Sequence, residues 1–420
     1  MSSGSGTVAV VGAGIVGVCI AYELRKRGAD VLLIERAEPG RGCSFGNSGA
    51  ISASSIAPLA MPGILASVPR MLCDANGPLY LPWRYLPKAL PWLARFVWSA
   101  RPGPVNRAVA DLAALHEGAV NRHVAMAREV GVPELILQRG HLHLYPDESA
   151  LAKDAAGWDL RRKYGFQFER LERDGIIALE PDVSPRYRVG MFLADHATVR
   201  NPFRYVQAIF HKYLEIGGRA LHDEAQALAP GNNGEWRIGL SAGSQAVGKV
   251  VVAAGAWSRR LLDPLGVKLA LEAQRGYHVQ FQGASSCVSR TVVLADRKVF
   301  VTPMEDGLRV GGTVEIGGLA LAANPRRADM LVRIARENFE SLRDLPFSTW
   351  MGHRPCMPDS VPVIGAVDGR PGLWLAVGHG HLGVTDSIHT ADLICDSLCS
   401  KKNRTLSAVA SEPVVPHQNK

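Results

Sequence analysis

The sequence predicts an α/β protein of two domains interleaved along the chain: a discontinuous domain wound around a parallel sheet, and an α+β domain on a mixed or antiparallel sheet. Three observations carry this expectation. A strand, glycine turn, helix and second strand follow one another from Thr7 to Glu35. Two further strand-and-turn stretches stand far downstream, near Val250 and near Leu373. Between them, short strands mix with helices, and no internal repeat or low-complexity tract is evident.

The chain has 420 residues, 47% apolar and 20% charged. That supplies a sizeable core, excludes disorder for most of the length and suits two or three domains. Glycine is over-used, at 43 residues, about a tenth against a typical roughly 7%, without a collagen-like period. Many tight turns and close backbone approaches follow. Lys and Arg outnumber Asp and Glu by 47 to 39, but the signs are well mixed. The clusters Arg161-Arg162-Lys163, Arg259-Arg260 and Arg326-Arg327 are scattered, lack interleaved aromatics, and read as solvated surface, so no nucleic acid is expected as partner.

Seven cysteines, Cys19, Cys43, Cys73, Cys287, Cys356, Cys395 and Cys399, form an odd set with no C-x-x-C pair. They fit neither a zinc module nor a disulfide framework, so no metal is expected and a reducing cytoplasm is the expected setting. Met1 to Gly6 is a Ser/Gly run, which does not read as a signal peptide. No run of about eighteen apolar residues is present to span a bilayer as a helix.

Thr7 to Glu35 is the most informative stretch. Thr7-Val8-Ala9-Val10-Val11 reads as a buried strand and Gly12-Ala13-Gly14-Ile15-Val16-Gly17 as a glycine turn. Ile15 to Arg27 continues as a helix, and Asp30 to Ile34 is a second strand ending in Glu35. Gly12 makes the tight turn, Gly14 lets the backbone approach a pyrophosphate, and Gly17 lets helix and strand pack closely. The pyrophosphate would sit on the helix N-terminus, where unpaired N–H groups carry about half a positive charge. Glu35 would accept hydrogen bonds from ribose hydroxyls and repel a 2′-phosphate, which disfavours NADP. Together these parts predict a Rossmann-like dinucleotide site.

The following loop discriminates FAD from NAD. Arg36-Ala-Glu-Pro-Gly-Arg-Gly-Cys-Ser-Phe-Gly-Asn-Ser-Gly-Ala50 is rich in Gly, Ser and Asn, and can run its backbone along a diphosphate and ribityl chain. It resembles the N-terminal signature of the flavoprotein family of D-amino-acid oxidases and dehydrogenases, glycine oxidase and sarcosine oxidase. Val250-Val-Val-Ala-Ala-Gly-Ala-Trp-Ser258 resembles the strand and turn that bring the chain back to the cofactor in that family. Gly352-His-Arg-Pro-Cys-Met-Pro-Asp-Ser-Val-Pro-Val-Ile-Gly365 is followed by Leu373-Trp-Leu-Ala-Val-Gly-His-Gly-His-Leu-Gly-Val-Thr385. This combination is similar to the bacterial D-amino-acid dehydrogenase branch, and the matching pieces run from Val8 to about Ile394.

The resemblance implies an FAD-binding domain contacting the cofactor through Gly12, Gly14, Ile15, Val16, Gly17, Glu35, Arg36, Ser44, Asn47, Ser48 and Gly49. Later contacts are implied at Ala254, Gly255, Trp257, Arg354, Gly378, Leu382, Gly383, Val384 and Thr385. The last group also has a reading from the residues alone. Leu373 to Val377 is a strand, Gly378 to Gly383 a glycine-rich loop and Val384 to Cys399 a helix, so a second helix N-terminus is aimed at a ligand. Reduced flavin gathers negative charge at its N1/C2=O edge, which N–H groups around Leu382, Gly383 and Val384 would stabilise.

The FAD-binding pieces are expected at 7–60, 195–265 and 345–400, the substrate domain at 61–194 and 266–344, and a mobile tail at 401–420. In the middle piece Asn201 to Gly217 reads as a helix capped by Asn201 with Pro202 at its first position, followed by strands at Trp236 to Leu240 and Val247 to Ala254. Leu142 to Tyr145, His278 to Phe281, Lys298 to Thr302 and Leu308 to Gly312 are the expected substrate-domain strands, with Arg326 to Arg343 a surface helix.

An amino acid beside a flavin needs little acid–base equipment. If its amine is neutral, the Cα hydrogen can leave as hydride to flavin N5, and the imine hydrolyses to a keto acid and ammonia. The protein must hold Cα in place and grip the carboxylate, ideally with a guanidinium. Arg275-Gly276-Tyr277-His278 and Asp296-Arg297-Lys298-Val299 resemble the segments that line the family's pocket. Tyr277 and Arg297, with Lys298 behind them, are the expected carboxylate donors, and His379 and His381 flank the flavin loop.

Two departures refine the resemblance. Leu382 stands in the region where sarcosine-oxidase-like enzymes carry a carboxylate-holding lysine. Gly352 stands where they carry the cysteine that binds flavin covalently, so Cys356 reads as a packed residue and FAD as non-covalent. The Gly-His-Gly-His-Leu-Gly wording also looks like flavoproteins acting on D-proline or D-hydroxyproline. Pro82 to Arg101 mixes three tryptophans with Arg84, Lys88, Arg95 and Arg101, which suits either a helical lid or peripheral contact with the inner membrane face by an enzyme passing electrons to a quinone. The expected activity is therefore a D-amino-acid dehydrogenase. An oxygen-using oxidase of the glycine/sarcosine type, or a flavin-binding subunit without turnover, are the alternatives.

Overall fold

The computed structural model describes residues 6–63, 77 and 79–399; the 401–420 tail and Cys73 lie outside them. β-Branched runs build a six-stranded sheet in the order Arg219–His222, Val31–Glu35, Val8–Val11, Lys249–Val252, Leu373–Val377, Val363–Ala366. The first five strands are parallel, and the last pairs antiparallel. Side chains alternate between faces. Val8, Val10, Val31 and Leu33 pack into a core with the helices Ile15–Lys26, Pro202–Glu215 and Gly383–Cys399. Ala9, Val11, Leu32 and Ile34 face the opposite core with Trp236 and Ile238. Trp236–Leu240 thus lies in a separate antiparallel meander, Ala227–Pro230, Trp236–Leu240, Gly243–Val247, that covers that face.

A ten-stranded mixed sheet forms the second layer; its longest strand, Glu272–Gln282, pairs with Gly307–Gly311 and, over ten positions, with Phe347–Cys356. The expected strands appear as His141–Tyr145, Glu272–Gln282, Val299–Met304 and Gly307–Gly311. Two exchanges tie the layers together. Phe347–Cys356 comes from the 345–400 stretch yet belongs to the second sheet. Helices Pro102–His116 and Ala119–Glu129, from the 61–194 stretch, contribute Leu115, Ala119 and Met126 to the core of the first.

Helix ends follow their local chemistry. Asn201 accepts from the Arg204 amide at 3.0 Å, with Pro202 at the first position. Pro325–Asn338 replaces the expected Arg326 to Arg343 helix, capped by Asn324 and buried along Ala328, Leu331 and Ala335. The basic clusters are not uniformly solvated. Arg327 is buried and donates to the Gly77 carbonyl at 2.8 Å, and Arg161 is half-buried in the wall of a cavity, where Arg260 also stands but remains exposed.

Candidate active site

A cavity of about 1540 Å³ lies between the carboxyl ends of the parallel strands and one face of the larger sheet. The crevice at the carboxyl ends is where open α/β sheets take ligands. Each strand end delivers a wall segment: Gly12–Ala13 after Val11, Arg36 after Glu35, Ala253–Ala254 after Val252, and Gly378–His379 after Val377.

The glycine turn is built for close approach. Gly12 has φ +105°, and a Cβ there would stand 2.6 Å from the Ala253 carbonyl oxygen. At Gly17 a Cβ would come within 1.8 Å of the Gly12 oxygen; this residue packs helix on strand and does not line the cavity. The Ile15 amide donates to Ser44 Oγ at 2.9 Å, and Glu35 Oε2 accepts from the Ala13 amide at 2.7 Å. Beyond Glu35, the Arg36 guanidinium lies 4.5 Å from the Trp257 ring and pairs with Glu224 at 2.9 Å, a flat wall suited to an adenine.

At the other end the loops Asn47–Ser52 and His381–Thr385 meet. Asn47 Nδ2 donates to the His381 carbonyl at 3.4 Å, while Thr385 Oγ1 accepts from the Ser52 amide at 3.2 Å and donates to the Ala50 carbonyl at 3.3 Å. Among the described residues, the N–H groups of Gly383, Val384 and Thr385 have no protein partner, and the first two belong to residues of the cavity wall, so the helix Gly383–Cys399 offers unused donors there. A glycine cradle at one end and an unfilled helix N-terminus at the other fit an extended dinucleotide with a flavin at the second end.

Of the other residues singled out above, Ile15, Val16, Ser48, Gly255, Trp257, Arg354, Leu382, His379 and His381 also line the cavity. Gly49, Thr385 and Arg297 are not in its wall. Gly49, at φ +72°, sits against the Val199 carbonyl, and Arg297 ranges to Asp296 at 3.4 Å and Glu337 at 3.8 Å. The Tyr277 hydroxyl is committed elsewhere: it donates to Glu315 at 2.6 Å and accepts from the Asn324 amide at 2.9 Å. Lys298 pairs with Asp154 at 3.3 Å. His379 is buried, bonded to Thr390 Oγ1 at 3.0 Å, whereas His381 is exposed.

Arg354 stands apart. Its guanidinium crosses Gly276, where a Cβ would lie 2.2 Å from Cζ, and among the described residues it donates one hydrogen bond, to the Thr313 carbonyl at 2.8 Å. Pro355 accepts from the Gly380 amide at 2.8 Å, which places Arg354 beside the Gly378–Gly383 loop, with no carboxylate hydrogen-bonded to it among the described residues. Arg309 carries a buried charge too, but its donors are spent on the carbonyls of Phe45 (2.9 Å) and Asn47 (2.5 Å) and on Gln280. Burial pulls its pKa down to about 10, and it holds the loop that carries Phe45 and Asn47. Cys356 is buried against Gly380, and burial pushes its thiol up to about 12, which leaves little thiolate for reaction.

Several buried histidines are held neutral. Burial lowers His123, His141 and His379 to about 4 and His278 to about 3. Each binds fewer protons folded than unfolded between those values and about 6.5, so their stabilisation is complete above that pH and is lost as pH falls through the window. Thermal unfolding followed from pH 8 to 4 should show a steep fall in Tm below about 6.5; a flat profile down to pH 4.5 would contradict the burial of these rings.

The family model described as FAD dependent oxidoreductase matches residues 7–397. The chain belongs to the FAD-dependent oxidoreductase family. FAD is the cofactor of that family. Among relatives of this oxidoreductase, a D-amino-acid oxidase of Bradyrhizobium diazoefficiens is 38% identical, covering 94% of this chain and 95% of that protein. A D-amino acid dehydrogenase of Dechloromonas aromatica is 32% identical, covering 94% and 97%. The fold is that of glycine oxidase from Geobacillus kaustophilus, with TM-score 0.72, 19% identity and 93% and 94% coverage. L-proline dehydrogenase from P. horikoshii shares it at TM-score 0.73, 18% identity and 94% of each chain.

Proposed function

We propose that this FAD-dependent oxidoreductase is a D-amino-acid dehydrogenase that binds FAD non-covalently. The observation that carries the reading is Arg354: a guanidinium beside the Gly378–Gly383 loop, without a carboxylate partner among the described residues, laid across the side-chain-free surface of Gly276. A substrate α-carboxylate is the charge it lacks. When bound, FAD supplies the acceptor for the Cα hydride. The chain does the rest: Arg354 anchors the carboxylate, and the N–H groups of Gly383 and Val384 meet negative charge on the cofactor side. The packed loop Gly378–Gly383 limits water. The closely related sequences named for D-amino acids support the enantiomer. Matched D- and L-enantiomers assayed with an artificial electron acceptor test it. Dye reduction by D-enantiomers without peroxide in air is expected; peroxide release would favour the oxidase, and turnover of L-enantiomers only would overturn the reading.

The electron acceptor is proposed to be a membrane quinone, reached from a lipid surface. No described helix is long and apolar enough to cross a membrane. The helix Leu86–Ser99 and the turn before it expose Trp83 (77%), Leu90 (54%) and Trp98 (46%), while Trp92, Leu93 and Phe96 on its other face line the cavity. From Leu79 to Ala110 there is no Asp or Glu, against Arg84, Lys88, Arg95, Arg101 and Arg107. Exposed apolar side chains in a stretch whose charges are all cationic suit an anionic lipid surface. Binding to phosphatidylglycerol vesicles but not to pure phosphatidylcholine ones is expected. The double variant K88E/R95E should weaken it at least tenfold, at roughly 1 kcal/mol for each basic residue lost; failure to sediment with anionic vesicles at low salt would contradict the proposal.

A further inference from the structure

Arg354 borders an apolar chamber. Its guanidinium reaches over Gly276 to the Thr313 carbonyl at 2.8 Å, and Val314, the next residue, lines the cavity. Strand alternation sorts the neighbours. Glu315 turns to the other face, where it meets Arg275 and Tyr277, so Val314 and Ile316 share the cavity face. Register continues that surface: Ile316 lies opposite Gln274, Gln274 opposite Arg354, and Val314 opposite Leu79. Consecutive Cα atoms are about 3.8 Å apart and paired strands about 4.8 Å, so the chamber begins within one amino-acid side chain's reach of the guanidinium.

The helix Leu86–Ser99 roofs this surface. Its Ala89 and Trp92 pack with Ile316 and Cys356 in one buried cluster, against which Leu79, Leu93, Phe96 and Val314 lie half-buried. Trp92 Nε1 donates to the carbonyl of Cys356 at 3.2 Å, two residues along the strand from Arg354, and the Phe96 ring stacks on the indole with centroids 5.2 Å apart. The roof is thereby fixed to the strand that carries the guanidinium. Every residue that positions 79–97 contribute to the cavity wall is apolar, while Arg84, Lys88 and Arg95 of the same stretch stay out of it. An apolar group entering the chamber gains by leaving water. A charged one would lose its hydration and find no counter-charge on the roof.

We propose that this chamber takes the substrate side chain, with Phe96 as a specificity-determining residue, so that D-amino acids with large apolar side chains, such as D-leucine, D-methionine and D-phenylalanine, are preferred over small or polar ones. This rests on the assignment of Arg354 to the α-carboxylate and of the reaction to D-amino acids. D-Leucine and D-asparagine are close in size and branching and differ in polarity, while D-alanine is too short to fill the chamber, so relative kcat/KM for the three on the FAD-loaded enzyme isolates it. A preference for D-leucine of roughly tenfold or more over each of the others is expected. In F96A the ratio of D-phenylalanine to D-alanine should fall roughly tenfold, and in F96L by less. F96K places an ammonium in the chamber, and should raise D-glutamate over D-glutamine roughly tenfold relative to the wild type. Flavin content is measured alongside, and F96L, which keeps an apolar side chain, decides the ratio if F96A or F96K loses the cofactor. Equal kcat/KM for D-leucine, D-asparagine and D-alanine overturns the proposal, as do Phe96 variants that leave these ratios intact. Turnover of no D-amino acid sinks the preceding reading and this one with it, whereas turnover without the preference sinks this one alone.

Discussion

Arg354→Leu is expected to lower kcat/KM for D-amino acids roughly 10²- to 10³-fold while the protein stays yellow. Removing one partner of a desolvated charge pair costs roughly 2–5 kcal/mol, because the other charge stays unpaired. The other cations near that end are committed: Arg309 is tied to Phe45, Asn47 and Gln280, and Lys298 to Asp154. FAD should remain, since the glycine turn and the Gly383 helix end are untouched. Gly276→Ala probes the same residue from beneath. Its Cβ would meet the Arg354 guanidinium at 2.2 Å, the movable end of a flexible side chain, so the fold should survive while Arg354 shifts and KM rises about tenfold, as misplacing a positioning group does. Steady-state kinetics with flavin content measured alongside checks both. Unaltered KM in both variants would remove Arg354 from the substrate.

Gly12→Ala should yield a colourless protein. Position 12 has φ +105°, and the new Cβ would stand 2.6 Å from the Ala253 oxygen and 2.8 Å from its carbon, both backbone atoms of the adjacent strand end. The left-handed conformation alone costs about 1–3 kcal/mol in a side-chain-bearing residue, and the clash pushes apart the two segments that form the cofactor's wall. FAD affinity is expected to drop at least a hundredfold, about 2.7 kcal/mol. Gly28→Ala is the control. It has φ +88° but open space around its Cβ, so it bears the conformational cost without the clash and should purify yellow. Equal colour in both variants, measured as flavin per chain, would contradict the role of Gly12.

Legibility in the sequence tracked the range of the interactions involved. The Thr7–Glu35 unit was readable because strand, turn, helix and acid are all local, and the Leu373–Cys399 unit for the same reason. Tyr277 illustrates what is not local. Residue types in Arg275–His278 point to a pocket wall, but a strand alternates faces, and a shift of one residue decides which side chains turn inward. Here Arg275 and Tyr277 turn to Glu315, at 2.8 and 2.6 Å, while Gly276 faces Arg354 and His278 reaches the Gly46 carbonyl at 3.1 Å. Arg161 was hidden in a basic triplet that resembles solvated surface. Its orientation depends on Ser54, 107 positions away, and on Trp158 within its own helix. Of these, only the i to i+3 spacing from Trp158 to Arg161 was visible in the sequence. The exchange of Phe347–Cys356 into the second sheet likewise depends on a partner strand some seventy residues upstream, which no local pattern encodes.

Anaerobic titration of the purified holoenzyme with single D-amino acids tests the central claim most directly. Full bleaching of the visible flavin absorbance is expected at one equivalent of substrate per flavin, with the matching L-enantiomers inert. A flavin spectrum left unchanged by every D-amino acid would contradict it.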